Sequence, residues 1–197
     1  MNEGGTALFA PLAYDKVFLF ILLIDSQTER ENMTRYIIKQ RMFSLGGKFD
    51  IKDSYDNLAY QVTGSFLKIP KYFEISKPDG QQVAKITKVL LQFLPKFDVT
   101  LTDGRRFRIA KGFTFFRPRY EIKDLGLDIQ GNFWDMNFEL SRDGRVVANI
   151  SQEWFKLTST YTVDVYEESY SDVVIALVVA IDYVKEQQRS ASAASSN

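Results

Sequence analysis

Two stretches of this chain repeat one another. Residues 73–87 read FEISKPDGQQVAKIT, and residues 138–151 read FELSRDGRVVANIS. Phe73-Glu74-Ile75-Ser76 matches Phe138-Glu139-Leu140-Ser141, and Asp79-Gly80 matches Asp143-Gly144. Val83-Ala84 with Ile86-Thr87 matches Val147-Ala148 with Ile150-Ser151, and Pro78 is the one insertion. Each copy is a short strand, an Asp-Gly turn and a second strand, a local β-hairpin signal. Recurrence at this distance predicts one sheet built from two similar halves, with Ala84 and Ile86 matching Ala148 and Ile150 on its inner face.

From Met33 to about Tyr166 the β signal is continuous. Short strand candidates follow one another from Tyr36–Met42 to Thr160–Tyr166, Phe113–Phe116 among them. Asp56-Asn57, Asp79-Gly80, Asp103-Gly104 and Asp143-Gly144 supply turns. So many strands with one apolar face predict a closed barrel or a sandwich, because an open sheet leaves long unpaired edges. Gly64 and Gly131 follow matching strands and suit bends at a sheet corner.

The last element breaks the pattern. Residues 173–181, VVIALVVAI, are apolar without interruption and are bracketed by Asp172 and Asp182. The span continues through helix formers to Gln188 and predicts a helix that is apolar on every side. Such a helix must be surrounded. Nine residues rise only about 14 Å, too little to cross hydrocarbon, so it belongs inside the protein. Residues 189–197, RSASAASSN, read as a disordered tail. Residues 1–32 read as a leader outside the domain, an upstream extension or linker with Met33 as the natural start; the alternative is a hydrophobic helix docking on the domain or on a membrane surface. Their apolar run, residues 17–24, is far shorter than the roughly 20 residues of a membrane span. The domain is therefore expected over 33–188.

Composition removes whole classes of chemistry. The 197 residues contain neither cysteine nor histidine. Disulfides, thiolate metal sites and His-dependent hydrolases are excluded, and the commonest general base is missing. Net charge is zero but uneven. Residues 33–120 carry 17 basic and 7 acidic side chains, net +10, whereas residues 121–197 carry 6 and 13, net −7. Such asymmetry marks either an anion-binding surface or two halves that neutralise each other on folding.

The sharpest candidate is residues 104–120, GRRFRIAKGFTFFRPRY, which hold six cations and no acid. Arg106 and Arg108 share one strand face, opposite Phe107 and Ile109. Arg119 and Lys123 share the outer face of a nearby strand, and Arg117 lies between. Guanidinium groups suit phosphate because they donate in a planar fork. The alternative is a solvated outer face paired with acids. Nucleic acid is disfavoured, since aromatics at strand spacing serve the core more often than stacking. Glu74 and Glu139 occupy equivalent repeat positions and should face solvent. Asp172 suits a helix start, and Asp182 should meet a rim amide or an arginine. Gly46-Gly47 lacks the lysine and helix of a phosphate loop.

The opening YIIKQRMFSLGGKFDIKDSYDN, YQVTGSF at 60–66, the two hairpins and the closing SDVVIALVVAIDYV at 171–184 resemble the LURP-one-related family, which shares the tubby C-terminal-like fold. The resemblance implies a closed antiparallel barrel of about twelve strands around one buried apolar C-terminal helix. It implies no reaction and no cofactor. Lipid association among relatives implies anionic phospholipid or a membrane surface as partner, and a cytoplasmic protein peripheral at the membrane. An intracellular protein-interaction or scaffold module is the second expectation; a carboxylate-based enzyme is disfavoured.

Overall fold

The computed structural model describes residues 33–39, 47–65, 69–91, 96–112, 119–155 and 158–194. Among the described residues, twelve strands precede one long helix. They are β1 (Thr34–Lys39), β2 (Lys48–Asp53), β3 (Leu58–Gly64), β4 (Tyr72–Ser76), β5 (Gln82–Val89) and β6 (Lys96–Leu101). Then come β7 (Arg106–Gly112), β8 (Arg119–Lys123), β9 (Asp128–Asn132), β10 (Asn137–Arg142), β11 (Arg145–Phe155) and β12 (Thr158–Val165). Helix α1 (Ser171–Ala194) closes the chain. The leader, and the strand expected at Phe113–Phe116, lie outside the described residues.

The repeat is real down to its irregularity. In β4–β5, Phe73 faces Ile86 and Ile75 faces Ala84, with a bulge between Ile75 and Ser76. In β10–β11, Phe138 faces Ile150 and Leu140 faces Ala148, with a bulge between Leu140 and Ser141. All eight of these apolar side chains are buried. A bulge places two residues opposite one, so Val83-Ala84 and Val147-Ala148 are both buried although adjacent. Asp143 and Gly144 both have positive φ, the tight hairpin turn that this pair favours. Pro78 is absorbed in the turn: Gly80 N–H donates to the Lys77 carbonyl and Lys77 N–H to the Gln81 carbonyl, so the register beyond is untouched.

The correspondence extends beyond the hairpins. The bulged carbonyl of Val83 accepts from Thr102 N–H, and that of Val147 from Tyr166 N–H. Val99 faces Phe107 as Val163 faces Tyr36, and Arg108 faces Lys123 as Ile37 faces Lys52. Strands β3–β8 thus match β9–β12 followed by β1 and β2. Ile51-Lys52-Asp53 and Ile122-Lys123-Asp124 are a further repeated segment, displaced by this interleaving.

The sheet order is β8-β7-β6-β5-β4-β3-β2-β1-β12-β11-β10-β9, all antiparallel where paired. The expected closed barrel is not formed, because β8 and β9 end the order and do not pair. The symmetry-related contact, β2–β3, is a full hairpin. Two left-handed residues, Asp124 and Gly126, turn the chain between β8 and β9, and β9 (DIQGN) carries Gly131 at φ +107°. That composition is poor for a ladder. Leu125, Leu127 and Ile129 pack against the core there instead. Curvature alone therefore surrounds the helix, and backbone closure is a separate matter.

Helix α1 is the core. Val174, Ile175, Ala176, Leu177, Val178, Ala180 and Ile181 have no exposed surface. Valine and isoleucine lower helix propensity by a few tenths of a kcal/mol each. Burying each such side chain contributes roughly 1.5–3 kcal/mol, so burial decides the conformation. The tail expected to be disordered from 189 is helical through Ala194, because it is rich in alanine, the best helix former.

Candidate anion-binding face

The candidate cations are set by three adjacent strands. Asp98 on β6 faces Arg108 on β7, which faces Lys123 on β8, and Arg106 faces Thr100. Phe97, Val99, Phe107 and Ile109 are buried. Strand alternation therefore turns Asp98, Arg106, Arg108 and Lys123 to the outer face. Arg106, Arg108 and Lys123 are exposed. Arg119 opens β8 opposite Gly112; its side chain, and Arg117, lie outside what the structure describes. Three of the five candidate residues are thus brought together.

The strongest cation of the set has a partner. Arg108 Nε donates to Asp98 Oδ1 at 2.5 Å and Nη2 to Oδ2 at 3.0 Å. This fork is the geometry guanidinium offers any oxyanion. Hydrogen bonding to Asp98, and then its charge, hold Arg108 still more firmly protonated. The pair is exposed, so its net contribution to stability is about 0–1 kcal/mol. A guanidinium held this way is pre-positioned but half-neutralised. Sequence reasoning overlooked Asp98. Counting outward from the Asp103-Gly104 turn sets it opposite Arg108.

The charged halves do not simply neutralise each other. Arg35–Asp164 and Lys77–Asp172 join them. Lys52–Asp56, Lys85–Glu74, Arg105–Asp103 and Arg108–Asp98 are satisfied within the first half. Arg105 also holds the Asp103 carboxyl below the usual carboxylate range through a hydrogen bond.

The carboxylates form a second candidate set. Glu74 is half-exposed beside Lys85, and Glu139 is exposed opposite Asn149, as expected of outward strand positions. Asp172 accepts a 2.8 Å hydrogen bond from the Tyr60 hydroxyl. Asp182 takes its hydrogen bond not from a rim amide or an arginine but from the Tyr161 hydroxyl, at 2.8 Å within the core, and Arg189 acts on it through charge. Ten residues of helix separate the two aspartates by about 15 Å, so they share no cleft. Asp172 borders a cleft of about 470 Å³ at the helix N-terminus, with Tyr36, Tyr60, Lys77 and Ser171. Among the described residues, no three acidic side chains converge as a metal cage. Nor is any described helix long and apolar enough to cross a membrane.

The LURP-one-related family model matches residues 34–182. The uncharacterized protein YxjI of Bacillus subtilis is 27% identical over 150 residues, covering 76% of this chain and 91% of that protein. An Arabidopsis thaliana protein solved by X-ray crystallography is similar at a TM-score of 0.50 with 13% identity, covering 77% of this chain and 91% of that one. This last likeness is one of fold.

Proposed function

The chain belongs to the LURP-one-related family, whose match covers the β domain, and we propose that it is a non-enzymatic binding protein. Its ligand is an anionic lipid headgroup or an anionic membrane surface, met from the cytoplasmic side. The observation that carries this reading is the alignment of Arg106, Arg108 and Lys123 on one outer face of two neighbouring strands. Arg108 already holds a carboxylate in a planar fork. A phosphate offers the same oxyanion edge with more charge.

The test is co-sedimentation with vesicles of phosphatidylcholine alone or mixed with phosphatidylserine. Wild-type protein is expected to pellet with the anionic vesicles only, and binding should fall as salt shortens the screening length to roughly 8 Å at physiological ionic strength. Arg106→Gln/Arg108→Gln should weaken binding tenfold or more, since each cation near such a surface contributes about 1 kcal/mol. Equal pelleting of wild-type protein with both vesicle types at low salt would sink the reading.

A further inference from the structure

The two ends of the sheet are chemically opposite. Around the helix N-terminus the turns carry Asp53, Asp56, Asp79, Asp103, Asp124 and Asp143, and the cations there, Lys77, Arg105, Arg142 and Arg145, are in ion pairs with acids. At the other end, where Lys88 Nζ donates to Gln187 on the last part of α1, the part of the rim formed by β2–β6 is basic and apolar, with Asp135 standing apart between β9 and β10. The described rim of β2–β6 comprises residues 47–49, 63–65, 69–72, 87–91 and 96–97. It holds Lys48, Lys71, Lys88 and Lys96, and the acids at its edge, Glu74 opposite Thr63 and Asp98 opposite Thr87, are already in ion pairs with Lys85 and Arg108. Among them stand large apolar side chains open to solvent. Ile69 is 84% exposed, Leu91 103% and Leu90 42%. Lys88 N–H donates to the Lys71 carbonyl, which ties the Ile69 and Leu91 segments side by side. Leu91 has φ +58°, a conformation that a leucine rarely adopts and that asparagine tolerates better.

We propose that this end of the molecule docks end-on against an anionic bilayer. Ile69, Leu90 and Leu91 enter the headgroup–acyl boundary, and Lys48, Lys71, Lys88 and Lys96 meet the acidic headgroups. The inference rests on the anionic-surface reading above and adds its orientation: the acidic turns point away from the membrane. Charge complementarity selects the occupant. Weak apolar insertion and a basic patch together give stable yet reversible membrane attachment, where either alone is marginal. An apolar protein partner would use the leucines and make no use of the ring of lysines. The chain enters β1 at the opposite end, where Thr34 faces Val165.

The absence of cysteine allows a clean test. Leu91→Cys and Tyr55→Cys, in the full chain, each receive one polarity-sensitive dye. Tyr55 is 84% exposed among the acidic turns and serves as the far-end control. With phosphatidylserine-containing vesicles, the dye at 91 should shift to the blue and the dye at 55 should not. Ile69→Ser/Leu91→Asn should lower the bound fraction about tenfold with melting temperature unchanged, the Asn suiting the left-handed backbone. If the protein pellets with anionic vesicles but only the dye at 55 shifts, end-on docking is overturned and the anionic-surface reading stands. End-on docking fails in the same way if Ile69→Ser/Leu91→Asn binds as wild type while Arg106→Gln/Arg108→Gln does not. A shift at 91 that neutral vesicles produce equally, or that needs no vesicle and accompanies a doubled mass in light scattering, also overturns the proposal. Absence of pelleting altogether sinks both.

Discussion

The Tyr161 hydroxyl donates a 2.8 Å hydrogen bond to Asp182 inside the core, tying β12 to the buried helix. Burial pushes the Asp182 carboxyl above its ordinary value near 3.8, while the Tyr161 hydrogen bond and the charges of Lys185 and Arg189 pull it back. Burial likewise pushes Tyr161 far up, so its hydroxyl stays protonated as donor.

A pH dependence of stability follows. The folded pKa of Asp182 lies above the unfolded one, so the stability linked to its protonated form is full below about 3.8 and is lost as pH rises through the folded value. Asp182→Asn keeps an oxygen acceptor for Tyr161 and cannot ionise. Its stability relative to wild type should therefore rise between about pH 4 and neutrality, by roughly 1.4 kcal/mol for each pH unit that separates the folded and unfolded pKa of the aspartate. Urea unfolding across that range is the measurement; a wild-type advantage that grows with pH would contradict it. Tyr161→Phe should cost about 1–3 kcal/mol, because it strands a buried acceptor.

The buried helix predicts a cavity effect. Leu177 has no exposed surface. Leu177→Ala should lower stability by about 2–5 kcal/mol, and Leu177→Asp should prevent folding, since an unpaired buried charge costs several kcal/mol. Native-like circular dichroism from soluble Leu177→Asp protein would contradict the burial.

The matched glycines should respond differently to alanine. A Cβ on Gly131 would lie 2.8 Å from the Asn137 carbonyl oxygen and 3.1 Å from Phe138 Cα, at φ +107°. Backbone cannot retreat, so Gly131→Ala should cost several kcal/mol, on the order of 2 or more. On Gly64 the Cβ would lie 2.6 Å from the Phe73 ring. Gly64→Ala should be rescued in part by Phe73→Leu, and a thermal-melt double-mutant cycle reads that coupling.

Asp98 predicts a gain of binding. Asp98→Asn removes the carboxylate that neutralises Arg108. Binding to anionic vesicles should then tighten several-fold, with melting temperature little changed because the pair is exposed. Weaker binding by this variant would show that Asp98 positions Arg108 for the ligand.

What could be read from the sequence divides along the line between local and global. The hairpins, their inward residues and the buried helix were legible because a period of two or an unbroken apolar run encodes burial directly. The open seam was not. Whether β8 and β9 pair depends on backbone direction after Asp124 and Gly126, which no hydrophobic pattern records. The same holds for the candidate face. Alternation reveals that Arg106 and Arg108 share a side, whereas Asp98 enters through cross-strand register. The Tyr161–Asp182 bond joins elements whose meeting only the finished fold determines.

The pairing of β1 with β12 has a consequence for how the chain is made. Arg35 and Asp164 are 129 residues apart, yet they share a bidentate ion pair across adjacent strands. The helix that fills the interior comes later still in the sequence. A ribosome must therefore release nearly the whole domain before the first strand meets β12 or the sheet has anything to wrap around. Contacts of such long sequence separation slow folding. Until then the apolar inner faces wait exposed, and a chain cut short before Ser171 has strands but no interior.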